Sequence, residues 1–193
     1  MLKTLYKKLF ERTGFTLIND NRSGRLVAVI ECIFNQNARD AGAANFPALN
    51  GPILDLCNEY NVGIVEMPCP EMRFLGFERK RQPGQSIRDA LDTVEGRNCC
   101  RKMSIDIVDR IEDYTKQGYQ LLAILGGNPM SPGCAIHCQD SNLLAHSGVF
   151  MKELQDELRK RHIEIPFKGI RDSDPEMFAL DIEWVREIFS ARG

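Results

Sequence analysis

Short apolar runs that alternate with helical patterns constrain the fold of this chain more than any other feature. The runs occupy residues 26–30, 62–65 and 121–125, and a fourth, shorter run covers 163–167. Uninterrupted runs of this length are typical of strands that are buried on both faces of a parallel sheet. The alternation therefore predicts an α/β fold of the Rossmann or flavodoxin-like kind, with about four or five parallel strands and helices on both faces.

The helical patterns predict helices at about 51–60, 99–117, 147–161 and 182–189. Residues 72–97 are charged and rich in turn-forming residues, so they are expected to form a long loop with one helical turn near 86–91. Residues 2–13 space their apolar side chains three and four apart, which predicts an amphipathic helix. We expect an N-terminal helical appendage over 1–22 and a single α/β domain over 23–193. The sequence leaves open whether two copies dimerise through the appendage.

Composition narrows the classes of function. The net charge of −2 argues against a broad nucleic-acid-binding face. No apolar stretch approaches the roughly 18 residues that a membrane span requires. Three lysines, one glutamate and one arginine interrupt the first 15 residues, unlike the apolar region of a signal peptide, so a cytoplasmic protein is expected.

The chain has seven cysteines, and thiols in the cytoplasm stay reduced. Ligation or catalysis is therefore expected in preference to disulfides. The alternative is that cysteines serve as small buried hydrophobic residues, and this interpretation is favoured for Cys57.

Three of the cysteines follow the predicted strands. Cys32, Cys69 and Cys134 come just after the first, second and third apolar runs. The carboxyl ends of parallel strands open into one crevice, so these thiols are expected to lie close together. Three thiolates can hold a metal centre with one coordination position left free, and both zinc and an iron–sulfur cluster fit that description. A separate zinc site formed by Cys134, His137 and Cys138 is a weaker alternative.

The residues around these cysteines resemble the three signature segments of the thiouracil desulfidase family, in order and in spacing. The segments read Cys-Ile-Phe-Asn-Gln-Asn at 32–37, Met-Pro-Cys-Pro-Glu at 67–71 and Ser-Pro-Gly-Cys at 131–134. The Asn-Gln-Asn after Cys32 is most similar to a branch of related desulfidases, and the resemblance extends over about 25–167. The family's Ser-Pro-Ser-Cys-Gly reads Ser-Pro-Gly-Cys-Ala here, and the lysine expected shortly before it is replaced within 125–127.

The resemblance implies a [4Fe-4S] cluster held by Cys32, Cys69 and Cys134. It also implies that the sulfur of a small thiocarbonyl substrate, such as a thiolated pyrimidine, binds the open iron and is replaced by oxygen through hydrolysis without electron transfer. Glu71 and Ser131 match the family's catalytic glutamate and serine. From the residues alone, the alternative for Glu71 is an N-cap or loop carboxylate paired with Arg73 or Arg79. The alternative for Ser131 is a turn residue before Pro132.

Three further residues are candidates for substrate binding. Asn35 and Asn37 are expected to line the pocket, and Arg79 to receive a phosphate or carboxylate of the substrate; the alternative for Arg79 is a solvated run of charges. Two rival functions also remain open from the sequence. One is a non-catalytic structural or sensing protein that holds a cluster or zinc, and the other is a metal-free nucleotide-binding module of the same fold.

Overall fold

A computed structural model describes residues 21–191, and it confirms the α/β fold. The central sheet contains four parallel strands in the order β2-β1-β3-β6. The strands are β1 Arg25–Ile30, β2 Gly63–Met67, β3 Gln120–Gly126 and β6 Phe167–Gly169, and a separate antiparallel hairpin pairs β4 Cys138–Gln139 with β5 Asn142–Leu143. The helix predicted at 2–13 lies outside the described residues, and the division into appendage and domain stays a prediction.

Helices cover both faces of the sheet. They are α1 Glu31–Phe34, α2 Gly51–Glu59, α3 Pro70–Leu75, α4 Ile87–Leu91, α5 Val94–Lys116, α6 Val149–Lys160 and α7 Pro175–Ser190, with a 3₁₀ turn at Gln36–Ala38. The chain crosses from β1 to β2 through α2 in one direction, and from β2 to β3 through α5 in the other. Right-handed crossovers then place α2 and α5 on opposite faces. Helix α7 contacts α2, and α6 contacts α5, which completes the two layers.

Central strands β1 and β3 explain why the apolar runs were informative. Residues 27–30 of β1 and 122–125 of β3 are fully buried between the two helical layers. Their side chains form one hydrophobic core with the inner faces of the helices, including Phe150 of α6 and Phe189 of α7. Within residues 21–191, no helix has the length and apolar character needed to cross a membrane.

The region predicted to be a long loop is more helical than expected. Helix α3 begins directly after Cys69, with Pro70 at its first position, where a missing N–H costs nothing. Helix α5 begins at Val94 and not near Cys99, because the Thr93 side chain accepts a hydrogen bond from the Gly96 N–H. The prediction of a loop over 72–97 was therefore wrong at both ends, whereas the turn at 86–91 is helix α4, closed by a capping box between Ser86 and Asp89.

The fourth strand begins later than predicted. Residues 163–165 precede the pairing, and β6 starts at Phe167, opposite Ile124 of β3. Ile163 and Ile165 pack against the core without joining the sheet. Their apolar side chains account for the prediction of a strand at 163–167, but burial alone does not set the hydrogen-bonded register.

A buried carboxylate, Asp181 of α7, ties this helix to the segment after β6. It accepts a hydrogen bond from the Arg171 backbone N–H at 2.8 Å and pairs with the side chains of Arg171 and Lys168. Burial acts to raise the pKa of Asp181, but the hydrogen bonds from Arg171 and Lys168 outweigh it and hold the pKa below its usual value.

Asp181→Asn is expected to destabilise the fold in a pH-dependent way. A carboxyl whose pKa is lower in the folded state stabilises the fold above its unfolded pKa, and this contribution is lost as the pH falls through the folded pKa. We expect a loss of about 1–3 kcal/mol at neutral pH, where the charge is paired. Urea unfolding should show this difference from wild type narrowing below about pH 4. Glu183→Gln, on the exposed side of α7, is the control, and a pH-independent difference for Asp181→Asn would contradict the expectation.

Candidate active site

The three cysteines lie where three strands end. Cys32 is in α1, immediately after β1; Cys69 is the N-cap residue of α3, after β2; and Cys134 lies in the loop after β3. All three are buried free thiols. Their loops meet at the carboxyl edge of the sheet, where ligands bind in open α/β folds.

One cavity of about 410 Å³ brings the three cysteines together with Glu71, Ser131 and Arg79. Its remaining walls come from the 3₁₀ turn and the segment after it, helix α4, the loop after β3 and the segment between β6 and α7. They are Ala38, Arg39, Asp40, Gly42, Ala43, Asn45, Ile87, Gly127, Asn128, Met130, Pro132 and Ser173. The volume suits a small ligand.

The Cys134 loop is fixed to the start of α6. The Pro132 and Gly133 carbonyls accept hydrogen bonds from the N–H groups of Val149 and Phe150, at 3.1 and 3.0 Å. These N–H groups belong to the first turn of α6 and have no partner within the helix. The loop therefore provides their acceptors and is in turn held in one position.

A hydrogen-bonded chain links Cys134 to a carboxylate. The Ser131 hydroxyl donates to Glu71 Oε1 at 3.0 Å and lies 3.0 Å from the Cys134 sulfur, and the Cys134 N–H donates back to Ser131 Oγ at 3.3 Å. Glu71 Oε1 also accepts a hydrogen bond from the Gly133 N–H at 3.3 Å. The structure gives Glu71 these partners in place of the ion pairs with Arg73 or Arg79 that were the alternative.

Cys69 has polar partners at both its backbone N–H and its sulfur. Its backbone N–H donates to Glu31 Oε2 at 2.8 Å, and its sulfur lies 3.7 Å from Nη2 of Arg79. Burial raises the pKa of the Cys69 thiol to about 11, against the opposing effect of the α3 N-terminus and of Arg79. Without a bound cation, Cys69 is therefore a thiol at neutral pH.

Cys32 and Cys134 form a coupled pair. A hydrogen bond from the Cys134 thiol lowers the pKa of Cys32 in spite of burial, and the Arg39 guanidinium lowers it further. The same hydrogen bond, together with complete burial, raises the pKa of Cys134. Of the two thiols, Cys32 is therefore the one that ionises more readily.

The wall between these two sulfurs has no room for a side chain. A Cβ at Gly127 would lie 2.6 Å from the Cys134 sulfur and 3.9 Å from the Cys32 sulfur. The backbone of Gly127 therefore packs closely against both sulfurs, and no side chain fills the part of the cavity in front of them.

The other four cysteines do not line the cavity. Cys57 is buried in the hydrophobic core, as expected, and burial raises its pKa to about 12. Cys99 and Cys100 lie within α5, and Cys100 is buried in the same core. Cys138 is exposed in the β4–β5 hairpin, and His137 Nε2 pairs with the Pro129 carbonyl at 3.0 Å. The separate zinc site therefore lacks converging ligands.

The predicted substrate-binding residues have different positions. Asn35 and Asn37 are exposed and do not line the cavity; Asn35 caps the 3₁₀ turn by accepting from the Asn37 N–H at 3.2 Å. Arg79 lines the cavity but is only 2% exposed. The buried residue of the Asn-Gln-Asn segment is Gln36, whose amide donates to the Cys32 carbonyl at 2.7 Å.

Sequence reasoning missed two features of the site, and the first is a buried ion pair on the cavity wall. Arg39 donates to both carboxylate oxygens of Asp172, which also accepts from Asn45 at 3.0 Å. The partners are 133 residues apart, and no local pattern marks either of them. Glu31, which holds the Cys69 N–H, was also missed, although its position next to Cys32 placed it at the same sheet edge.

Comparison with known proteins gives one relative, an uncharacterized protein of Methanocaldococcus jannaschii. It is 27% identical to this chain over 141 residues, which cover 73% of this chain and 82% of the relative. No protein-family model matches the chain. No solved structure matches it either.

Proposed function

We propose that the chain is an iron–sulfur enzyme of the thiouracil desulfidase kind, which removes sulfur hydrolytically from a small thiocarbonyl compound. The observation that supports it best is the meeting of Cys32, Cys69 and Cys134 with Glu71 and Ser131 around one cavity. These five residues come from three segments that are far apart in the sequence, and they match the metal-binding and catalytic positions of the motifs that the chain resembles.

The donor set suits a [4Fe-4S] cluster. Three sulfurs from three loops line the same cavity, and Gly127 leaves the region in front of two of them clear. Each thiolate can bind a separate iron of a cluster, so three soft sulfur ligands on three loops are compatible with it.

One departure from the family's motif has a structural explanation. Where the family has a serine between Pro132 and Cys134, this chain has Gly133. A Cβ at this position would lie 2.5 Å from Pro70 Cγ and 3.3 Å from Glu71 Cγ. Glycine therefore allows the Cys69 and Cys134 loops to pack directly on each other, and the departure is compatible with cluster binding.

When bound, a cluster with three protein ligands supplies one iron with an open position, which acts as a Lewis acid on the substrate sulfur. Glu71 is placed to accept a proton from the attacking water, and Ser131 to orient that water through the hydrogen bond that joins them. Water provides the oxygen of the new carbonyl and both protons of the released hydrogen sulfide. No electron is gained or lost in this reaction.

Cavity volume favours a small substrate. About 410 Å³ accommodates a heterocycle next to a cluster, and Ile87, Met130 and Pro132 provide apolar walls. A thiolated pyrimidine, as a free base, is our proposed substrate class.

Anaerobic reconstitution of the full chain with iron and sulfide tests the proposal. We expect visible absorbance from iron–sulfide charge transfer, stoichiometric iron and acid-labile sulfide, and release of sulfide with formation of uracil from thiouracil. An intact cluster without sulfide release across a panel of thioamides would favour the non-catalytic cluster protein. A colourless protein that binds nucleotides would favour the metal-free module.

A further inference from the structure

Arg79 is held in an unfavourable backbone conformation and buried at the cavity. Its φ is 50°, in the left-handed region, and it is the largest side chain among the fully buried residues. For a residue other than glycine, such a conformation is unfavourable and persists only where the surroundings enforce it. Its neighbours Lys80 and Arg81 are exposed, so the conformation directs one guanidinium of a run of three cations inward.

The guanidinium of Arg79 contacts backbone carbonyls and a sulfur, and no carboxylate of the described residues pairs with it. Nη1 donates to the Phe77 carbonyl at 2.7 Å, and Nη2 donates to the Ala38 carbonyl and lies 3.7 Å from the Cys69 sulfur. Nε is buried and has no hydrogen-bond partner among the described residues. No carboxylate of residues 21–191 forms an ion pair with Arg79, whereas the second buried arginine of the cavity, Arg39, is paired with Asp172.

A buried cation without an anion is costly, because the protein interior solvates charge poorly. Carbonyl oxygens offset this cost only in part. The remaining neighbour of Arg79 is the Cys69 sulfur, which carries a negative charge when it binds a metal. Arg79 therefore lacks a paired anion among the described residues until a thiolate-ligated group occupies the site.

We propose that Arg79 is a positioning residue and the counter-ion of the cluster's Cys69 ligand, donating an N–H···S hydrogen bond to the thiolate through Nη2. The inference rests on the cluster of the proposed function, but not on its desulfurating activity. Three thiolates exceed the positive charge of an oxidised cubane core by about one unit, and a single unpaired guanidinium matches that excess. This role replaces the binding of a substrate phosphate or carboxylate that the sequence suggested.

The inference has a measurable consequence for the electronic properties of the cluster. Hydrogen bonds to ligand sulfurs and nearby positive charge favour the reduced state, so they raise the reduction potential. They also reduce the electron donation from the ligand sulfur to iron, which makes the iron a stronger Lewis acid. Loss of the guanidinium should therefore lower the potential, a change that a purely structural arginine would not cause.

The experiment compares Arg79→Gln, Arg79→Lys and Lys80→Gln with wild type, each as the anaerobically reconstituted full chain. Lys80 is the control, an exposed cation next to Arg79 whose side chain pairs with the exposed Glu78. Circular dichroism checks the fold, iron and acid-labile sulfide give cluster content, and a mediated redox titration gives the midpoint potential. Resistance of the cluster to an iron chelator is measured in parallel.

We expect the Arg79→Gln cluster to have a more negative midpoint potential than wild type and to be lost to chelator about 10-fold faster or more. Arg79→Lys should recover part of both changes because it keeps the charge, and Lys80→Gln should match wild type. If Arg79→Gln retains too little cluster to titrate, partial recovery of iron content in Arg79→Lys is the supporting result.

An unchanged potential and chelator resistance in folded Arg79→Gln would overturn the inference and leave the proposed function standing. If the wild type holds a cluster but releases no sulfide, and Arg79→Gln still shifts the potential, the inference is supported and the proposed function is overturned. Wild type that holds no cluster would overturn both.

Discussion

Replacing Cys134 with alanine is expected to remove the cluster, whereas replacing Cys138, four residues along the chain, is expected to leave it in place. Cys134 is buried against Gly127 with its sulfur 3.0 Å from Ser131, while Cys138 is exposed in the β4–β5 hairpin. Loss of a hydrogen-bond partner of a metal ligand already lowers metal affinity by about 10–100-fold, so loss of a ligand should cost at least about 100-fold. Sulfide release should fall with the iron content.

Iron and acid-labile sulfide analysis after anaerobic reconstitution provides the measurement, with Cys32→Ala and Cys69→Ala expected to behave like Cys134→Ala. The fold should survive, since loss of one buried sulfur atom is expected to cost on the order of 1 kcal/mol. Circular dichroism therefore separates loss of cluster from loss of structure. Full iron content in folded Cys134→Ala, or equal loss in Cys138→Ala, would show that the cavity does not hold the cluster as proposed.

The position of the three cysteines could be predicted because sheet topology converts sequence position into spatial position. A residue just after a parallel strand must lie at the carboxyl edge, whatever the loops do. The apolar runs at 26–30 and 121–125 are buried on both faces, so they predicted the strands. The ends of the strands then located the carboxyl edge of the sheet. Predictions of this type need only the ends of elements, and not the path of the loops between them.

Side-chain partners across loops could not be predicted in the same way. Arg79, Lys80 and Arg81 look alike in the sequence, yet only Arg79 is buried, because its backbone adopts a left-handed conformation. The Arg39–Asp172 pair likewise depends on where two loops meet. Helix α3 is a different case: Pro70 at its start was a readable signal, outweighed by the charges and glycines that follow.

Glu71→Gln is expected to retain the cluster and lose most of the activity. Glu71 Oε1 accepts hydrogen bonds from Ser131 Oγ and the Gly133 N–H, and a glutamine oxygen can accept both of them. The loop that carries Cys134 should therefore keep its position. A neutral amide cannot take the proton of the attacking water, and loss of a general base typically lowers the rate by about 10²–10⁴-fold.

Glutamine is the informative replacement because alanine would leave the buried Gly133 N–H without an acceptor, at a cost of about 1–3 kcal/mol, and so mix folding with catalysis. The matched control is Asp40→Asn, which neutralises an exposed carboxylate on the wall of the same cavity. Rates of sulfide release should be divided by the iron content of each variant. Near-normal turnover per cluster in Glu71→Gln would assign proton transfer to another group, and the carboxylate would then serve only to hold Ser131 and the Cys134 loop.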